Sequence, residues 1–122
     1  MTNTTIKTKG VRAIVTGTGF EGRADRIRRH CREGMPLQLR REPNNVHDKD
    51  AITVYMQCSR LFGLLKSWES MGYIKAARAD GLAPKLDSGS YTVTSATVVS
   101  LYTPVGRDHP RVSVQIEFAV RT

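Results

Sequence analysis

Arg41, Asn45, His47 and Asp48 stand within eight residues of one another in the run Leu39-Arg-Arg-Glu-Pro-Asn-Asn-Val-His-Asp-Lys-Asp-Ala-Ile-Thr-Val54. Together they offer a guanidinium, an amide, an imidazole and a carboxylate. This is chemistry for holding phosphates and hydroxyls by hydrogen bonds. Pro43 fixes φ, and the Asn and Asp side chains can bond nearby backbone, so the stretch reads as a turn. It is longer and more polar than the two to five residues that a plain hairpin connection needs. Binding groups are often found on such loops beside a rigid sheet.

Two strands must position them. Leu37 and Leu39 alternate with polar neighbours before the turn, and Ile52 and Val54 do so after it, which predicts strands over Met35–Arg41 and Ala51–Gln57. A first strand is expected over Val11–Thr16, followed by Gly17 and Gly19, which present Phe20. Arg23–Cys31 is highly charged, with Ile27 as its one strong apolar anchor, and fits a helical turn or an ordered loop. Leu61–Leu65 fits a strand or an inserted apolar flap, with Trp68 either buried or exposed for contact. Ile74–Leu86 reads as helix broken near Gly81 and Pro84, with Asp80 as a possible N-cap of the second piece and Gly89 as its end. Tyr91, Val93, Ser95, Thr97, Val99 and Leu101 share one face of a long strand, and Val112, Val114, Ile116, Phe118 and Val120 share one face of another. Pro104–Pro110 is a polar loop between them. Residues 1–9 read as a flexible arm and residues 10–122 as a single domain.

Charge narrows the partner. Lys and Arg number 19 against 11 acidic residues, a net +8 in 122 residues, which attracts polyanions. Arg23, Arg26, Arg28, Arg29 and Arg32 fall within ten residues, and Arg26, Arg28 and Arg29 are the expected non-specific phosphate contacts. No apolar run approaches the roughly 20 residues of a membrane span, so the expectation is a cytoplasmic or nucleoid-associated protein with no membrane partner. Cys31 and Cys58 are expected to be reduced and buried, and neither they nor His30 have zinc-ligand spacing, so no metal or other cofactor is expected. His30, His47 and His109 with Asp25, Asp48 and Asp108 form no paired-carboxylate, H-x-H or phosphate-loop motif, so no enzyme is expected.

The block Arg41-Glu-Pro-Asn-Asn-x-x-Asp-x-x-Ala-Ile-x-Val54 resembles the signature of the HIRAN domain family. Ile14–Phe20, Gly72-Tyr73-Ile74 and Leu82–Gly89 are similar to flanking pieces of that family, so the resemblance spans roughly Val11 to Phe118. It implies a mainly β fold, an OB-like six-stranded β-barrel with a short helical insertion. It also implies a DNA-binding function directed at the 3′ end of single-stranded DNA, in repair, replication or DNA processing. Asp48 then stands where the family contacts the terminal 3′-hydroxyl, Phe20 where it stacks a base, and Asn45 and Arg41 where it makes polar and phosphate contacts.

Two positions depart from the family. Val46-His47 replaces a common Pro-Tyr, which puts an imidazole in place of an aromatic wall, and Gly19 replaces a basic residue. Tyr73 is a ring that can compensate. No ATPase motif lies in these residues, so remodelling of DNA would need a separate helicase or nuclease subunit. The alternative expectation is a protein-interaction or inhibitory subunit that keeps the fold and makes contact through Leu61–Trp68.

Overall fold

Val112, Val114, Ile116 and Phe118 are buried while the residues between them are partly exposed, so the alternation predicted near the C-terminus is realised as a strand. The computed structural model describes residues 6–103 and 109–121. In chain order the elements are β1 (Ile6–Thr16), α1 (Arg23–His30), β2 (Leu37–Arg41), β3 (Ile52–Arg60), β4 (Leu65–Ile74), α2 (Ala76–Asp87), β5 (Tyr91–Tyr102) and β6 (Arg111–Arg121). The strands form one antiparallel sheet in the order β2-β3-β4-β1-β6-β5.

The sheet curls until its two edge strands approach. Pro36 bridges Thr97, and the Val98 N–H donates to the Met35 carbonyl. No continuous ladder joins β2 to β5 among the described residues, so the mainly β, OB-like architecture is present but the barrel is not closed. Inside the curl, Phe118, Ile116, Val114 and Val112 pack with Ile52, Val54, Met56 and Met71. Each large apolar side chain fully buried here contributes about 1.5–3 kcal/mol.

Several expectations are corrected. Ile6–Lys9 are not a loose arm: they pair with Phe118–Arg121 of β6, and residues 1–5 lie outside the described set. Arg23–His30 is a helix in which Ile27 is fully buried, so the fold has two helices rather than one helical insertion. Helix α2 runs unbroken through Gly81 and Pro84. Pro84 removes one N–H, which would have reached the carbonyl of Asp80 on an exposed turn where water can replace it. The N-cap of α2 is Lys75, not Asp80, and Gly89 follows the helix with φ +81°, the left-handed conformation expected of a terminating glycine. Strand β5 does not keep one face inward. Register shifts at Val93/Ser95 and Val98/Ser100 turn Tyr91, Ala96 and Val98 inward and leave Ser95 exposed. Most of the loop expected at Pro104–Pro110 lies outside the described residues.

Candidate nucleic-acid interface

Arg41 closes the β2–β3 turn from inside. Its Nε and Nη2 donate to the two carboxylate oxygens of Asp87 at 2.9 Å each, while Nη1 donates to the Ala51 carbonyl at 2.7 Å and Nη2 to the Lys49 carbonyl at 2.9 Å. The hydrogen bond from Arg41 holds the Asp87 carboxyl below its ordinary range and raises Arg41 in turn. These bonds give Arg41 a structural duty, joining β2, the turn and α2, beyond the phosphate contact expected of it.

Asn45 organises the turn. Its Oδ1 accepts the N–H groups of His47 at 2.9 Å and Asp48 at 3.1 Å. Asp48 Oδ1 accepts the Asp50 N–H at 2.9 Å, and its own carbonyl accepts the Ala51 N–H at 3.1 Å. The second carboxylate oxygen, Oδ2, has no hydrogen-bond donor among the described residues. Asp48 therefore shapes the turn with one oxygen and leaves the other without a donor among the described residues.

Tyr73 comes from the other side. The register between β3 and β4 shifts at Val54/Tyr55, and Gly72 follows with φ +141°. A Cβ on Gly72 would collide with the Thr16 carbonyl, so only glycine lets β4 cross this close to β1. Tyr73 then pairs with Thr16, whose Oγ1 donates to the Tyr73 carbonyl at 3.3 Å. The Arg23 guanidinium lies 5.2 Å from the Tyr73 ring centroid and donates to the Gly17 carbonyl at 3.1 Å. Arg23 is buried, and this contact fixes the ring.

Thr16, Asn45, His47, Asp48, Tyr73 and Ile74 line one cavity of about 240 Å³. Four residues singled out in the sequence, Asn45, His47, Asp48 and Tyr73, are thus brought together. Phe20 stands next to them: its exposed ring and that of Tyr73 each lie 3.9 Å from the space a Cβ on Gly17 would fill. Stacking on such rings is worth about 1–3 kcal/mol per base. The His109 ring covers Gly19, where an added side chain would clash with it.

One electrostatic feature was missed. Carboxylate oxygens of Asp48, Asp50 and Asp80 lie within 4.8 Å of one another. Oxygen donors of this kind suit a hard cation such as Mg²⁺, and they concentrate negative charge beside the cavity. Asp80 comes from α2, so nothing in the spacing of the turn could reveal it.

The arginines of α1 do not form one phosphate face. Arg26 donates to the Glu21 carbonyl at 3.1 Å and to the Ser70 carbonyl at 3.0 Å, tying α1 to β4. Arg28 approaches Asp25 at 3.9 Å. Arg29 is exposed beside Arg32, Gln57 and Ser59, toward the far end of β3 from the turn. At that end the β3–β4 hairpin exposes Leu61, Phe62, Leu64 and Leu65, with Trp68 partly exposed on β4. Leu61–Leu64 form the turn itself, with Leu61 and Phe62 at positive φ, so this is neither a strand nor a flap. Cys31 and Cys58 are free and buried; burial pushes Cys31 up to about 11 and raises Cys58. Among the described residues no helix is long and apolar enough to cross a membrane.

A curled antiparallel sheet with a cavity at the junction of a strand turn and a helix defines a small OB-like module. The HIRAN domain family matches residues 11–121, and the chain belongs to that family, which is known for DNA binding. Among solved structures, the HIRAN domain of human HLTF is similar with a TM-score of 0.58 and 22% identity, over 91% of this chain and 75% of that one. A protein from Lactobacillus plantarum is similar with a TM-score of 0.63 and 21% identity, over 91% of this chain and 98% of that one. At these identities the likeness concerns the fold. No curated protein matches the sequence.

Proposed function

We propose that this chain is a non-catalytic module that binds single-stranded DNA and seats a 3′-hydroxyl end in the cavity at Asp48. The observation that carries the reading is the free Oδ2 of Asp48 in a cavity shared with Asn45, His47 and Tyr73. At about 240 Å³ the space is below the roughly 300–1,000 Å³ of small-molecule pockets and suits the end of a strand. A terminal hydroxyl donates to Asp48, while Tyr73 and Phe20 offer faces to the last bases. A terminal phosphate would meet Asp48, Asp50 and Asp80 together and is rejected by like charge.

Fluorescence anisotropy with labelled strands ending in 3′-hydroxyl, ending in 3′-phosphate, or circular tests the reading. The hydroxyl strand should bind tightest, and Asp48→Ala should remove about 1–3 kcal/mol from that strand alone. Equal affinity of the wild type for all three strands would refute end recognition. Circular dichroism checks that the variant keeps its turn, since Asp48 also holds Asp50.

A second reading draws on the exposed apolar hairpin Leu61–Leu65, which suits a contact with another protein. It is favoured only if no single strand binds at low salt.

A further inference from the structure

Two clefts larger than the cavity at Asp48 lie elsewhere on the surface. One, of about 470 Å³, lies between β1 and the start of α2 and is lined by Arg12, Ile14, Lys75, Arg78 and Ser113. The other, of about 490 Å³, shares Ile14 and Ser113 with it and adds Thr18, His109 and Arg111. The N–H of Lys75 donates to the Ile14 carbonyl at 2.9 Å, which seats the start of α2 on β1 and sets the width of the first cleft.

Among the described residues, Arg12, Lys75, Arg78 and Arg111 form no ion pair and no side-chain hydrogen bond. Like charges gathered around adjoining depressions oppose folding unless a counter-charge arrives. The acids that could neutralise them are turned away by the helix itself. Arg78 and Lys85, seven residues apart, share one edge of α2; Asp80 and Asp87, also seven apart, share the opposite edge, with buried Ala79, Leu82 and Ala83 between. The acidic edge serves the β2–β3 turn through Asp87 to Arg41 and Asp80 beside Asp48. The basic edge faces β1, where Arg78 and Lys85 line a smaller cleft with Lys9.

The clefts and the end cavity border the same outer face of β1. Thr16 lines that cavity, Ile14 floors both clefts and Arg12 lines the first, and all three are alternate, exposed residues on the outer face of β1. From Thr16 to Arg12 is about 13 Å at roughly 3.3 Å per residue. Ile74 and Ala76 border the end cavity, while Lys75 and Ala77 border the first cleft.

We propose that the nucleotides behind the terminal one pass from the end cavity over Ile14 into this basic cleft, where Arg12, Lys75 and Arg78, with Arg111 beside them, hold backbone phosphates. The inference rests on the end-binding reading and extends it, because it gives the strand a direction. The neutral hydroxyl lies against the acidic edge of α2, and the charged backbone lies against the basic edge. A strand entered the other way round would put phosphates on Asp48, Asp50 and Asp80. The bound length is then roughly four nucleotides, the low end for a single OB-like fold.

The test measures affinity of the full chain for 3′-hydroxyl oligonucleotides of two to ten nucleotides, for wild type and for Arg12→Ala/Arg78→Ala. Wild-type affinity should rise with length and level off near four. The variant should lose at least tenfold on the longer strands, keep the wild-type affinity for a dinucleotide, and still prefer 3′-hydroxyl over 3′-phosphate. Its dependence of log K on log salt should flatten by about 0.7 for each phosphate that is no longer neutralised. Wild-type binding of the longer strands and an unchanged salt slope in the variant would overturn the path. Loss of end preference in the wild type would instead sink the end-binding reading, and a variant defect seen beside it would show a basic cleft that binds strands without reading their ends.

Discussion

The arginines of α1 and the cations around β1 and α2 are two basic regions built in opposite ways. The first is dense in the sequence and dispersed in its duties. Arg23 is buried against Gly17 and Tyr73, Arg26 bridges to Ser70, and Arg28 approaches Asp25. The second is scattered along the chain, from Arg12 through Lys75 and Arg78 to Arg111, and converges on adjoining clefts without an acidic partner among the described residues. Closeness in sequence measures how charges are written, whereas an interface depends on which charges remain unspent after folding.

Stability measurements can break this contrast. Arg23→Ala removes a buried guanidinium, its bond to the Gly17 carbonyl and its stacking on Tyr73, and should lower unfolding free energy by about 2–3 kcal/mol in urea titration. Arg12→Ala, at an exposed and unpaired site, should stay within about 0.5 kcal/mol of wild type. If both variants unfolded alike, the distinction between structural and free cations would fail.

Arg41→Ala places a third arginine with the structural class. It should cost about 1–2 kcal/mol at neutral pH, because two carbonyls and a carboxylate lose their donor. Acid sharpens the point. Asp87 has a folded pKa held below its ordinary 3.8 by Arg41, so its contribution is fully present above that value and is lost as pH falls through the lower, folded one. Stability of the wild type should therefore fall in that acid range more steeply than that of Arg41→Ala. Parallel pH profiles from chemical denaturation would contradict the assignment.

The smallest effect is expected from Arg28→Ala/Arg29→Ala. Both side chains are exposed on α1, so stability should move by less than about 0.5 kcal/mol. Binding of single strands should weaken only through the general field, with little change in salt slope. A flattening as large as that expected for Arg12→Ala/Arg78→Ala would move the interface back to α1.

Much of this was legible in the residues, and the exceptions have physical causes. Strand β6 could be read directly because its alternation is unbroken from Val112 to Phe118. Strand β5 could not, because two bulges reverse which parity faces the core and a bulge leaves no mark in side-chain type. Pro84 suggested a break in α2, yet an exposed helix turn tolerates the missing donor. That Asn45, His47 and Asp48 lie together follows from their sharing one short turn, and Tyr73 joins them at the cavity after a glycine that the strand crossing requires. The structural duty of Arg41 left no mark in the turn because its partner Asp87 lies on another element, and the cleft at Arg12 is built from separate elements in the same way.

The most direct measurement is a crystal structure of the chain with a short single strand ending in a 3′-hydroxyl. The account predicts the terminal hydroxyl within hydrogen-bond distance of Asp48 Oδ2, the last base against Tyr73 or Phe20, and the preceding phosphates at Arg12 and Arg78. A strand lying instead across the exposed arginines of α1, with the cavity at Asp48 empty, would contradict it.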